Sequence, residues 1–228
     1  MQNGVGTLQE TSLHASLKQW YFRPGDLIEK GVDGSIVDLV RGELCIEIQT
    51  QHFGALKKKL STLLKNHAVR VVYPVPVERQ IIRIDINTDQ VLSKRKSPKR
   101  GSYFDLFTEL VHITQIVRQP NFSVDVLLIR DEQVFVDDGK GSWRRKGWSI
   151  SDRRLVGVLS SRLFSKPGDY RELIPDGLMN PFTVSDLARS IRYPRYLAGK
   201  MAYTLREIDV IETVGKKGRS FLYCVRDS

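Results

Sequence analysis

The sequence predicts an α/β fold with a mixed central sheet and flanking helices, followed by a smaller unit of short helices and a hairpin. Three observations carry this expectation. Two β-branched runs flank a Gly-containing turn, and an amphipathic helix and another apolar strand follow them. A strand, helix, strand order is a crossover and favours parallel pairing. From about Ile150 the pattern changes to short helical segments that end in a hairpin with a basic tip.

The elements follow in order. Thr7 to Tyr21 reads as a helix, with Thr7 as N-cap and Glu10 completing a capping box. Leu13, Leu17 and Tyr21 form one apolar stripe, and Glu10, His14 and Lys18 form a second stripe at the same spacing. Arg23-Pro24-Gly25-Asp26 ends the helix. Gly34–Val40 and Leu44–Gln49 are the arms of a hairpin around Arg41-Gly42-Glu43. In the second arm Leu44, Ile46 and Ile48 share one face, and Cys45, Glu47 and Gln49 share the other. His52–Lys65 has helical period, with Phe53, Leu56, Leu60, Leu63 and Leu64 apolar and Lys57, Lys58 and Lys59 beside them. Val69–Tyr73 is the strand that closes the crossover.

Further on, Gln80–Ile86 and Gln90–Leu92 read as a hairpin, and 94–101 as a basic loop. Tyr103–Val117 reads as one helix, and Val124–Ile129 as a strand. Asp152–Phe164 reads as a helix with Leu155, Val158, Leu159 and Leu163 as its stripe. Thr183–Ile191 is a helix capped by Thr183 with Asp186 near N3. Pro194 opens a third, running to about Glu207. Val210–Val214 and Ser220–Val225 are the arms of the last hairpin. Helix, helix, turn, helix and basic-tipped hairpin is the order of a winged helix-turn-helix. The boundary is expected in the Gly-, Lys- and Arg-rich loop, giving units 1–145 and 146–228.

The chain has 228 residues, and 41% hydrophobic content is enough for a buried core, so global disorder is excluded. No apolar run approaches the roughly 20 residues that span a bilayer. The first residues lack the pattern of a signal peptide. Cys45 and Cys224 are the only cysteines. Two lone cysteines suggest a reduced, cytoplasmic protein and are too few for a structural zinc site. Lys and Arg number 36 against 26 Asp and Glu, a formal charge of +10. Such a surplus points to a polyanion, most often nucleic acid. Anionic lipid is the weaker alternative, because no isolated basic amphipathic segment is visible.

Asp38 and Glu47 carry the chemistry. Each lies within an apolar strand segment, Val37-Asp38-Leu39 and Ile46-Glu47-Ile48. A carboxylate there is costly unless a cation or hydrogen bonds offset its desolvation. A divalent cation with hard oxygen ligands would do so and could activate water against a phosphodiester. The alternative is a pair of carboxylates on a solvated antiparallel face.

Asp38, the short turn and Glu47-Ile48-Gln49 resemble the core of the PD-(D/E)XK nuclease superfamily, and the order of elements over about residues 7–75 is similar to its Holliday-junction-resolvase-like branch. The resemblance implies a restriction-endonuclease-like fold and a Mg²⁺-dependent (or Mn²⁺-dependent) endonuclease acting on double-stranded or branched DNA. It implies Asp38 and Glu47 as metal ligands, Glu10 as an outer ligand and the Ile48 carbonyl as a backbone ligand. The motif lysine is Gln49 here, a variant the superfamily also contains, and Gln49 would position water or phosphate. Lys57 or Lys58 on the next helix, or Lys18 on the first, can supply the missing charge; Lys57 is placed with the catalytic set. A homodimer would allow both strands to be cut. The second reading is a non-catalytic DNA-binding regulator on an inactive nuclease fold.

The expected nucleic-acid contacts are cationic. Lys18, Lys94, Arg95, Lys96, Lys99 and Arg100 belong to the first unit. Trp143 to Trp148 adds two aromatics around Arg144, Arg145 and Lys146, suited either to stacking on bases or to anchoring the loop. In the second unit Arg195, Tyr196 and Lys200 would lie on a recognition helix, with Lys216, Lys217 and Arg219 on a wing.

Overall fold

The computed structural model describes residues 12–141, 143–145 and 147–226. Thr7 and Glu10, and with them the expected capping box and outer ligand, lie outside the described residues.

Helix α1 spans Ser12–Tyr21 and buries Leu13, Leu17 and Tyr21, the expected stripe. Strand β1 (Leu27–Val32), β2 (Ser35–Arg41) and β3 (Leu44–Ile48) form an antiparallel meander. Only the β2–β3 hairpin is expected from sequence; β1 is mostly exposed and has no buried stripe to mark it. Helix α2 (Phe53–Leu63) crosses over to β4 (Ala68–Ile84), which pairs parallel to β3. The expected strand Val69–Tyr73 and the first arm of the expected hairpin are thus one strand of 17 residues. Strand β5 (Val91–Lys96) completes that hairpin and takes in the first cations of the expected loop.

The expected helix Tyr103–Val117 is broken into three pieces. Tyr103–Leu106 is a 3-10 turn, Phe107–Leu110 is α3 and Thr114–Val117 is α4. The inward side chains hold nonetheless: Phe107, Leu110 and Ile113 are buried. Strand β6 (Phe122–Asp137) runs parallel to β4 along nearly all its length.

The next segment departs from expectation. Residues 152–164 are not a helix; they belong to β7 (Trp148–Phe164), antiparallel to β6. The β6–β7 ladder shifts register at three places, between Leu128 and Ile129, Arg130 and Asp131, and Val134 and Phe135. Each shift resets which side chains face the core. The alternation expected of a strand is therefore interrupted; of the expected stripe, Leu155 and Val158 pack against the core under α1, whereas Leu159 and Leu163 are exposed. The seven-stranded sheet runs β1-β2-β3-β4-β6-β7, with β5 on β4.

After β7 come α5 (Pro167–Arg171), α6 (Val184–Ile191), α7 (Arg195–Glu207), and the hairpin β8 (Ile211–Lys217) and β9 (Ser220–Val225). On one sheet face α1 covers Leu39, Ile46, Ile48, Val72, Leu127 and Ile129. On the other, α2, α3 and α4 join α6 and α7 in one continuous core. No described helix is long and apolar enough to cross a membrane.

Candidate functional site

The ladder registers bring three acids abreast. Ile28 lies opposite Leu39 and Lys30 opposite Val37, so Glu29 flanks Asp38. The β2–β3 ladder ends at Leu39 opposite Ile46, and just beyond it Glu47 lies close enough to Asp38 for their charges to interact. Each acid has its own basic partner. Lys18 Nζ is 2.7 Å from Glu29 Oε1, His14 Nε2 is 3.3 Å from Asp38 Oδ2, and Lys59 Nζ is 2.6 Å from Glu47 Oε1. Helix α1 supplies the first two because its second stripe, next to the buried one, faces β1 and β2. Helix α2 supplies the third from the opposite face of the sheet. Its first amide is held by Glu109, whose Oε2 accepts from Phe53 N–H at 2.9 Å.

The two central carboxylates sit in different electrostatic environments. Glu47 is 4% exposed. Burial, aided by the negative charge of Asp38, pushes its pKa up to about 7 against the pull of Lys59. Its Oε1 makes no aligned hydrogen bond among the described residues, so the Lys59 ammonium is its close compensation. For Asp38, burial also works upward. It is outweighed by hydrogen bonds from His14 and from the Ile48 amide (2.8 Å), and by the charges of His14 and Lys59, so Asp38 titrates below the usual carboxylate range. Neighbouring acids pushed in opposite directions are a common mark of functional sites.

Of the expected site residues, Asp38, Glu47 and Ile48 come together, with His14 beside them. The charge next to Glu47 comes from Lys59. Lys57 and Lys58 are exposed, and Lys18 is paired with Glu29. Gln49 is half-buried and donates its amide to the Gln51 carbonyl rather than toward Glu47. Among the described residues no group of three or more His, Cys, Asp or Glu is assembled to hold a metal ion. At this position Asp38 and Glu47 are neighbouring carboxylates, and Ile48 contributes its amide, which donates to Asp38.

The expected nucleic-acid contacts differ in availability. Lys94, Arg95 and Lys96 are exposed on β5, with Lys94 3.1 Å from Glu132. Lys99 and Arg100 are exposed on the loop that follows. Arg195 and Tyr196 are exposed at the start of α7, but Lys200 donates to the Thr108 carbonyl at 3.3 Å and is engaged in packing. Lys216, Lys217 and Arg219 are exposed on the last hairpin, and Lys216 lies 5.2 Å over the Phe221 ring. Trp148 stacks under Arg83 at 4.6 Å, whereas Trp143 is 82% exposed.

Residues 11–165, more than half of the chain, match DUF8091, described as a domain of unknown function. The chain belongs to the DUF8091 family. The DUF8091 match closes one residue after β7, so it spans the sheet and α1 to α4. A Treponema pallidum (strain Nichols) protein with the description "Uncharacterized protein" is 35% identical over 187 residues, covering 82% of this chain and 74% of that protein. No solved structure matches.

Proposed function

We propose that the protein is a Mg²⁺-dependent nuclease that hydrolyses phosphodiester bonds, with DNA as substrate. The observation that carries this reading is the Asp38–Glu47 pair across β2 and β3, with Lys59 2.6 Å from Glu47. In this reading the sheet unit is a restriction-endonuclease-like core, supported by the order hairpin, α2 and parallel β4. Helices α6 and α7 and the β8–β9 hairpin are a winged helix that grips the duplex, supported by the exposed Arg195, Tyr196, Lys216, Lys217 and Arg219.

The donor set suits Mg²⁺, which takes hard oxygen ligands, often from only one or two carboxylates, and leaves positions for water and phosphate. Glu47 Oε1 is buried and already faces the Lys59 ammonium at 2.6 Å, so a bound cation would share this carboxylate with Lys59. Asp38 and Glu47, with the Ile48 carbonyl, would hold Mg²⁺ or Mn²⁺, which would supply an activated water and neutralise charge at the phosphoryl group. Lys59 takes the role of the missing motif lysine from α2. It holds a positive charge next to Glu47 while anchored to the Ile36 carbonyl at 2.6 Å. His14 orients Asp38. Gln49 reaches water or phosphate only after leaving the Gln51 carbonyl. A homodimer places a second site on the opposite strand.

The test is a Mg²⁺ and Mn²⁺ titration against labelled DNA and RNA at low salt. Wild type is expected to cleave DNA, and Asp38→Ala, Glu47→Ala and Lys59→Ala are each expected to lose about a hundredfold or more. Cleavage retained in both carboxylate variants overturns the assignment. Binding without cleavage under either metal shifts the reading to a non-catalytic DNA-binding regulator.

A further inference from the structure

One edge of β4 is shared by two strands. β3 covers it from Ala68 to Val72, and β5 covers it from Gln80 to Ile84. Between them the loop Ser97–Gly101 closes the gap and is pinned at both ends. Ser97 N–H donates to the Arg79 carbonyl at 2.8 Å, and Gly101 N–H donates to the Pro76 carbonyl at 3.0 Å. Gly101 is needed for this approach, since a Cβ there would lie 2.5 Å from Val75 Cγ1 and 2.8 Å from the Pro76 oxygen. The basic loop is therefore a fixed wall. Against it lie two adjoining cavities of about 150 and 370 Å³, and Arg79 and Ser97 line both.

The charge in this cleft is unbalanced. Asp131, with no side-chain exposure, accepts from Arg79 Nε at 2.8 Å and Nη2 at 2.6 Å, and from Arg153 Nη2 at 3.1 Å. Two guanidinium groups share one carboxylate. Arg153 Nε is buried without a hydrogen-bond partner among the described residues. Burial, with the charge of Arg79 next, pulls the Arg153 pKa below its ordinary value. The other carboxylates are already engaged: Glu78 with Arg130, Glu132 with Lys94, and Asp105 with Lys99, Ser102 N–H and the Tyr193 hydroxyl. Lys96 and Arg100, on the cavity wall, have no ion-pair partner among the described residues. Arg79, which lines both cavities, shares Asp131 with Arg153, and the exposed Lys96 and Arg100 add positive charge on the wall of the larger cavity that an anion would offset. Tyr73 also lines the smaller cavity; burial pushes its phenol up to about 12, so it stays protonated, and its side chain is hydrogen-bonded with Thr108.

We propose that this cleft binds a phosphate group, carried by inorganic phosphate or by a phosphomonoester. A phosphate dianion suits the surplus charge, and the Arg100 guanidinium and Lys96 ammonium suit its oxygens. The site uses neither Asp38 nor Glu47, so it stands apart from the catalytic reading. It does lie beside the carboxyl end of β3, in the region where parallel strands of α/β sheets present ligands.

Isothermal titration of the full chain at low ionic strength tests this with inorganic phosphate, adenosine monophosphate, and a short single strand with either a 5′-phosphate or a 5′-hydroxyl. Wild type is expected to show saturable, one-to-one binding of inorganic phosphate. Arg100→Ala, Lys96→Ala and Arg79→Gln are expected to weaken it about tenfold or more, and Asp38→Ala to leave it unchanged. Arg100 and Lys96 are exposed, so their variants carry the test where Arg79→Gln fails to fold. A preference for the 5′-phosphorylated strand over the monophosphate identifies a strand terminus as the source; the reverse identifies a free phosphate compound. No saturable binding, affinity unchanged in Arg100→Ala and Lys96→Ala, or equal binding of both strands without any of inorganic phosphate overturns the proposal.

Discussion

Lys57 and Lys59 flank the apolar stripe of α2 at about 80° to either side on a helix of 3.6 residues per turn. A helical wheel cannot choose between them. The choice is made by the sheet, because the flank bearing Lys59 faces β2 and β3 while Lys57 faces solvent. Asp38 and Glu47 are legible in the sequence because their apolar neighbours require burial and so make a charge conspicuous. Their partners are not, since a pairing over 12 residues, as between Glu47 and Lys59, leaves no local pattern. Burial of Glu47 has a measurable consequence. Its folded pKa, about 7, lies above the ordinary 4.5, so the folded state prefers the protonated acid. The metal-free protein should hold this stability in full below pH 4.5 and lose it as pH rises through 7, by about 3 kcal/mol at most. Chemical denaturation in EDTA between pH 4 and 8 should show the decline, and Glu47→Gln should flatten it. An equal slope in the variant would assign the decline to other groups.

At the level of elements, local chemistry is legible where it acts locally. Thr183 caps α6 as its sequence requires: its hydroxyl accepts from Asp186 N–H at 3.3 Å, and the Asp186 carboxylate accepts from Thr183 N–H at 3.0 Å. Thr183→Ala should therefore cost about 1 kcal/mol, read as a shift in denaturation midpoint, and Thr183→Ser should restore most of it. An unchanged midpoint in the alanine variant would mean that packing alone holds the α6 start. Strand β7 shows the opposite case. Its conformation is set by pairing with β6 across the loop of residues 138–147, and bulges interrupt its alternation. The same holds for β4, whose prolines at 74 and 76 divide one long strand into two short runs on paper. Periodicity reports the stripe that a segment buries; it does not report a ladder made with a distant strand.

The larger of the two core clusters crosses from the sheet into the C-terminal helices. Leu106, Phe107 and Leu110 belong to the same buried cluster as Leu197, Met201 and Leu205. Polar ties reinforce the junction: the Tyr193 hydroxyl donates to Ser102 Oγ at 2.7 Å, and Arg118 donates to the Glu207 carbonyl at 2.8 Å. The loop at 139–147 looks like a linker in composition, yet it joins two paired strands, because Gly and charged residues suit a hairpin connection as well as a boundary. The family match closes just after β7. A division there would uncover α3 and the turn before it. Calorimetry of the full chain should accordingly give one cooperative transition, with equal calorimetric and van't Hoff enthalpies. Residues 1–165 alone should bind a hydrophobic dye and associate, since the face that α7 covers would lie open. Two separate transitions, together with a monomeric and dye-silent 1–165 fragment, would show instead that the shared core contributes little and that the sheet unit folds without its C-terminal cover.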